Sequence, residues 1–364
     1  MNELKSIARA AETLRRRAEP FLTATVVRVR GSSYRRPGAR MLVTRDRWVT
    51  GSVSGGCLEH DVTRKGWWRT RDGGPRLVTY DARAQEDLGW GLGVGCDGVV
   101  DVLLEPARID GLDPIDFIAR CYDTQRRGAL ATVFGGSSRI GGHVAVTADG
   151  VAADELDAPV RERLADECRR VLAGGESRVL VRDAGDGPID ALVEAVLPPP
   201  RLFVVGAGHD AIPVVTMAHA VGWETAVCDA TARFGTRERF AHADEILVAT
   251  PAAVAARVDA CDRAMAVVMA HDYERDRACL AALLETRACY IGMLGPRRRT
   301  ERMLEELGIA RLDPRVRAPV GLAIGAETPQ EIALAIVSEA QSVLARASAL
   351  PLCEQPGAIH APAV

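Results

Sequence analysis

The stretch RLFVVGAGHDAIPVVTMAHAVGWETAVCDA, residues 201–230, carries the signature of the architecture. RLFVV is short, apolar and without alternation, the pattern of a strand buried on both faces of a parallel sheet. Gly206-Ala207-Gly208-His209-Asp210-Ala211 follows it and opens a helix, after which ETAVCDA resumes a strand. That context gives the glycine motif its meaning. Gly206 allows the tight turn. Gly208 lets a diphosphate approach a helix N-terminus, whose unpaired N–H groups and dipole favour an anion. Ala211 is small enough for close packing of helix on strand. Asp229 ends the second strand, where an acid would accept from the hydroxyls of an adenosine ribose.

Further along, EILVAT, AMAVVMAH and CYIGMLG repeat the buried-strand pattern, and PAAVAARVD, YERDRACLAALLET and PRRRTERMLEELG separate them as helices. This alternation predicts an α/β, Rossmann-like, doubly wound parallel sheet over residues 198–364. Thr328, Pro329 and Glu331 give the last helix a capping box with proline in its first position. His271 and Asp272 close the fourth strand at the edge where such sheets bind ligands. His271 reads as a polar contact or acid–base group facing the crevice, and Asp272 reads equally as such a group or as the N-cap of the next helix. Pro198, Pro199 and Pro200 mark the clearest domain boundary.

Residues 1–112 read as an N-terminal α+β domain: an amphipathic helix, then strands at 23–29, 39–44, 47–53, 76–81 and 99–106 joined by glycine-rich loops. Residues 113–197 read as a smaller α+β insertion or linker region. Its first helix has Asp113 as N-cap and Gly128 as stop, and no chemical constellation is visible in it.

Three loops of the N-terminal domain carry chemistry. GSSYRRPG sets Ser33, Arg35, Arg36 and Gly38 together, which suits a phosphate or other oxyanion, although arginine supplies nearly all the basic residues of this chain. Gly55-Gly56-Cys57 precedes a helix whose dipole would stabilise a thiolate. Glu59 in its first turn would oppose that thiolate or bind a ligand amine. Gly95-Cys96 lies in a second glycine-rich loop, GWGLGVGCDG. For Cys121, Cys168, Cys228, Cys261, Cys279, Cys289 and Cys353 the simplest reading is a small buried apolar residue.

Composition narrows the function. With 364 residues, 48% hydrophobic and 26% charged, the chain suits two folded domains. A net charge of −3 argues against a sequence-independent nucleic-acid binder. No run approaches a membrane span and no signal peptide is legible. Nine cysteines without a CxxC pair predict neither a disulfide framework nor a structural zinc site, so a reducing cytoplasm fits.

GSSYRRPGARM, GSVSGGCLE, GVGCDGVVDVLLEP, VVGAGHDAIPV, the run from His271 onward and APVGLAIGAETPQEIALAIVSEA, in this order, resemble the xanthine dehydrogenase accessory protein family of the XdhC/CoxI type. The resemblance spans nearly the whole chain outside residues 107–197. It implies a maturation factor that binds molybdenum cofactor (molybdopterin), protects it, promotes its sulfuration with a cysteine desulfurase and passes it to an apo molybdenum hydroxylase. Such a protein is more a cofactor chaperone than a catalyst, and a homodimer is expected. By resemblance, Cys57 and Cys96 contact the cofactor and its molybdenum, with Gly55, Gly56, Gly95 and the Arg35/Arg36 loop around them. Gly206, Gly208, His209 and Asp229 match the segment that would hold NAD(P) or a nucleotide portion of the cofactor. This chain departs from the family pattern at Tyr34, Asp97 and Thr231, where proline, glycine and arginine are usual. The alternative from another class is an NAD(P)-dependent oxidoreductase, although no Ser-Tyr-x-x-x-Lys set completes its chemistry. A third is a non-catalytic adaptor bridging apo-enzyme and desulfurase.

Overall fold

The computed structural model describes residues 2–31, 33–81, 98–108, 111–154, 156–174, 177–182, 188–231, 233–309 and 311–354. The chain divides into two compact units, one formed by Glu3–Leu197 and one that starts at Pro198.

The first unit opens with α1 (Asn2–Arg16), followed by β1 (Leu22–Arg30), β2 (Arg40–Val43), β3 (Trp48–Gly51), α2 (Cys57–Arg69), β4 (Arg76–Asp81) and β5 (Val99–Pro106). The strands form an antiparallel sheet in the order β3-β2-β1-β5-β4. Helix α2 lies on it at Gly66, where a Cβ would stand 3.2 Å from Leu22 Cδ1. Next come α3 (Pro114–Asp123), β6 (Gly128–Gly136), β7 (His143–Thr147), β8 (Gly150–Ala153), α4 (Ala158–Gly174), β9 (Arg178–Arg182) and β10 (Ile189–Val196). Their sheet, also antiparallel, runs β8-β7-β6-β10-β9. Residues 113–197 therefore carry a five-stranded sheet of their own. Val27 and Leu103 of the first sheet pack with Phe134 and Leu192 of the second, and the buried Arg40 guanidinium is paired with Glu194. Gly128 does not stop α3. The chain turns earlier, at Gln125 (φ +54°), and Gly128 begins β6, where a side chain would strike the Phe117 ring at 2.5 Å.

The second unit runs β11 (Arg201–Val205), α5 (Ala211–Ala220), β12 (Glu224–Asp229), β13 (Glu245–Val248), α6 (Pro251–Asp259), β14 (Ala264–Val268), α7 (Tyr273–Leu284), β15 (Tyr290–Met293), α8 (Arg297–Glu306), β16 (Val316–Arg317) and α9 (Pro329–Ala345). All six strands are parallel, in the order β13-β12-β11-β14-β15-β16. This is the doubly wound sheet that the alternation predicts. Helices α5 and α9 bury one face, with Val214, Val215, Ile336 and Val337. Helices α6, α7 and α8 bury the other, with Val254, Leu280, Leu283 and Met303. The capping box of α9 is formed: Thr328 Oγ1 accepts from Glu331 N at 3.3 Å, and Glu331 Oε2 accepts from Thr328 N at 2.9 Å. The strand order reverses between β11 and β14, so their C-terminal ends open the crevice at which such sheets bind ligands.

Candidate functional site

In the first unit the glycine–cysteine turn is built from the inside. Glu59 is buried, and Oε1 accepts from the backbone N–H groups of Val53 (2.9 Å) and Ser54 (2.7 Å) while Oε2 accepts from the Ser54 hydroxyl. Ser54 Oγ in turn accepts from Gly56 N and Leu58 N, each at 3.0 Å, and from the Cys57 thiol at 3.5 Å. Two residues thus satisfy the donors of a tight turn and of the start of α2. The Glu59 carboxylate is turned onto this turn and takes three donors from it. Gly56 adopts φ +121° with no atom within 4 Å of a Cβ position, so its backbone is open to an approaching group. Cys57 is half-exposed beside it.

The arginine loop meets this turn through a residue that sequence reading missed. Glu3 on α1 pairs with Arg35 and accepts from Ser52 N at 2.9 Å, tying residues 33–36 to residues 52–57. The Tyr34 ring lies 3.8 Å from the Cβ position of Gly55 and is 73% exposed, so it lies beside the glycine turn. Ser33 is half-buried and Arg36 exposed on the same loop. Gly38 serves the core instead. At φ +94°, its Cβ would fall 2.6 Å from Glu194 Oε1, and its carbonyl accepts from Arg40 at 2.9 Å. Gly95 and Cys96 lie outside the described residues.

The other cysteines differ from Cys57. Burial pushes the thiols of Cys121 and Cys279 up to about 11 and those of Cys168 and Cys228 up to about 12. It raises Cys261 and Cys289 as well. Cys121, Cys168, Cys228, Cys261 and Cys279 are buried as the sequence predicts, whereas Cys289 is only half-buried. Cys353 corrects the expectation of burial, because it is exposed after α9. Among the described residues, no group of three or more His, Cys, Asp or Glu side chains could hold a metal ion.

In the second unit Gly206 (φ +119°) lets the chain leave β11 beside the end of β14. A Cβ there would sit 2.5 Å from Met269 O. His271, at the end of the facing strand, adopts φ +58° and is 61% exposed, and its Nε2 is 2.7 Å from Asp210 Oδ2. The other Asp210 oxygen covers Gly208, where it would collide with a Cβ. His209 is exposed on the same loop. Asp272 caps α7, accepting from Arg275 N at 3.1 Å. Asp229 is nearly closed off. Oδ2 accepts from Ala207 N at 3.0 Å, and Oδ1 from Thr231 N at 3.0 Å and Arg275 Nη2 at 2.8 Å. Burial alone would raise its pKa, but Arg275 and the two backbone donors outweigh it and hold the carboxyl below the usual range.

These two sites sit in recognisable sequence. Residues 202–340 match the model of the XdhC Rossmann domain, and residues 14–81 that of the XdhC and CoxI family. Over 322 residues the chain is 30% identical to a protein of Bacillus subtilis (strain 168) named as a probable xanthine dehydrogenase subunit, covering 88% of this chain and 92% of that one. The chain belongs to the XdhC and CoxI family. Escherichia coli (strain K12) has a more distant relative named molybdenum cofactor insertion chaperone PaoD, 24% identical over 324 residues, which are 88% of this chain and 82% of that one. Among solved structures, a Bacillus halodurans protein described as a xanthine dehydrogenase superposes with a TM-score of 0.74 at 30% identity, over 96% of this chain and 98% of its own.

Within this XdhC and CoxI chain, the first matched segment contains both joined loops and the second contains Gly206, Asp229 and His271. Sequence reading missed Glu3, Ser54, Asp210 and Arg275. Ser54 stands five residues before Glu59, outside the three-residue spacing of a capping box, so no spacing rule flags it. Glu3 and Arg275 had no signal either, because each reaches a partner far away in the chain.

Proposed function

We propose that this family member is an accessory protein that binds molybdenum cofactor, protects it and assists its sulfuration and insertion into a molybdenum hydroxylase of the xanthine dehydrogenase or carbon monoxide dehydrogenase kind. The observation that carries this reading is the Gly55–Cys57 turn. A half-exposed thiol stands beside an open glycine backbone, and both are fixed by Ser54 and Glu59. The cofactor is an anionic pterin dithiolene bearing a phosphate. A soft sulfur donor suits its molybdenum, while Arg36, Ser33 and backbone N–H groups suit its oxygens. The name of the PaoD relative supports the same role. The partners under this reading are the apo-hydroxylase and a cysteine desulfurase that supplies the sulfur. A homodimer in the cytoplasm is the working state. Among the described residues, no helix is long and apolar enough to cross a membrane. The second unit would contribute a nucleotide site.

The test is anaerobic incubation of purified protein with released molybdenum cofactor, then gel filtration and assay of pterin and metal in the protein peak. Stoichiometric retention is expected, with Cys57→Ala losing most of it and Cys121→Ala losing none. No retention by the wild type would sink the reading. The oxidoreductase alternative draws on the His271–Asp210 pair at the crevice. Steady NADPH oxidation with a small carbonyl, without pterin retention, would favour it.

A further inference from the structure

We infer that the crevice of the second unit selects a nucleotide carrying a phosphate on its adenosine ribose, the NADPH class, over the unphosphorylated NADH class. The inference rests on the reading that this crevice binds a nucleotide, and it is independent of cofactor handling by the first unit. In a sheet of this topology, an acid ending the second strand accepts from the ribose 2′-hydroxyl, and a nearby arginine accommodates a 2′-phosphate instead.

Asp229 stands in the acid's position but is not available to a hydroxyl. Its two oxygens already take three donors, and its side chain is 8% exposed. Turning it toward a ribose would break the Arg275 ion pair and leave Ala207 N–H, at the heart of the glycine loop, without an acceptor. That exchange is unfavourable for a buried donor. The surroundings are cationic instead. Arg275 spans to Asp229 and stays one-quarter exposed. Just past β12, the half-exposed Phe234 ring carries guanidiniums at 5.2 Å (Arg233) and 5.8 Å (Arg239) from its centroid. Arg239 is fastened to the same glycine loop, donating to Ala207 O at 2.8 Å. One guanidinium thus neutralises the carboxylate, and two more stack on an aromatic ring just past β12, one of them tied to the glycine loop. A phosphate monoester beside an adenine base matches that arrangement: the phosphate meets the arginines and the base meets the ring.

Binding to the full-length protein is measured by calorimetry for NADPH and NADH, and for the minimal probes adenosine 2′,5′-bisphosphate and 5′-AMP. The 2′-phosphorylated member of each pair should bind at least about tenfold tighter, with a preference that shrinks as salt rises. Arg233→Ala, on an exposed side chain, should lose most of that preference, with NADPH affinity falling much further than NADH affinity. Equal or tighter binding of NADH, or a preference untouched by Arg233→Ala, overturns this inference alone. Binding of none of the four probes overturns it together with the nucleotide reading.

Discussion

Removing the Glu59 carboxylate tests whether the cysteine turn is held from within. Glu59→Ala leaves the Val53 and Ser54 N–H groups and the Ser54 hydroxyl without their acceptor, in a place where Val53 is fully buried and Ser54 nearly so. The hydroxyl can turn elsewhere, but the two amides cannot. Each stranded donor costs about 1–3 kcal/mol, so the loss is about 4 kcal/mol with the lost packing included. At an m-value of about 2.5 kcal/mol/M in urea, the unfolding midpoint falls by about 1.5 M. Glu59→Gln keeps the shape and one acceptor oxygen, and should cost about 1–2 kcal/mol. Tryptophan fluorescence reports this transition, since Trp48, Trp67, Trp68 and Trp90 precede the second unit and only Trp223 lies within it. A loosened turn should also raise the rate at which iodoacetamide alkylates Cys57, read by peptide mass mapping. A Glu59→Ala midpoint within about 0.2 M of wild type, with unchanged Cys57 alkylation, would show that the carboxylate does not hold the turn.

Other outcomes follow from the backbone and charge of the two sites. Gly206→Ala adds strain at positive φ and a 2.5 Å approach to Met269 O, whereas Gly56→Ala meets strain alone. The first should cost about 2–4 kcal/mol and the second about 1 kcal/mol in the same urea assay, and equal costs would contradict the packing of the glycine loop on β14. The depressed pKa of Asp229 sets a pH dependence. Its stabilisation is fully present above the unfolded aspartate value of about 3.9 and is lost as pH falls through the lower folded value. The midpoint gap between wild type and Asp229→Asn should therefore be widest near neutrality and close on acidification. A gap that widens on acidification would rule out the ion pair with Arg275.

The doubly wound sheet was legible from the amino acids. Buried parallel strands read as unbroken apolar runs such as RLFVV and AMAVV, and helices announce themselves through caps such as Thr328–Glu331. Those signals are local, so they survive without coordinates. The Gly55–Cys57 turn and the Gly206–Asp210 loop were legible too, since glycine clusters mark where backbone must bend or be approached. The second antiparallel sheet was only half legible. β8 is four exposed residues, GVAA, with no apolar alternation, so a reading by hydrophobic pattern passes over it although it pairs with the preceding strand β7, and β9 is a five-residue strand paired with the β10 that follows it. What each polar group faces emerged only on folding. Glu59 and Asp229 are both acids near glycine loops and look like ligand contacts in the sequence. The folded chain instead turns both onto backbone N–H groups of their own loops, because a buried carboxylate is stable only where donors converge on it. Glu3 and Arg275 gain their roles only once the chain brings them to partners that no spacing rule connects.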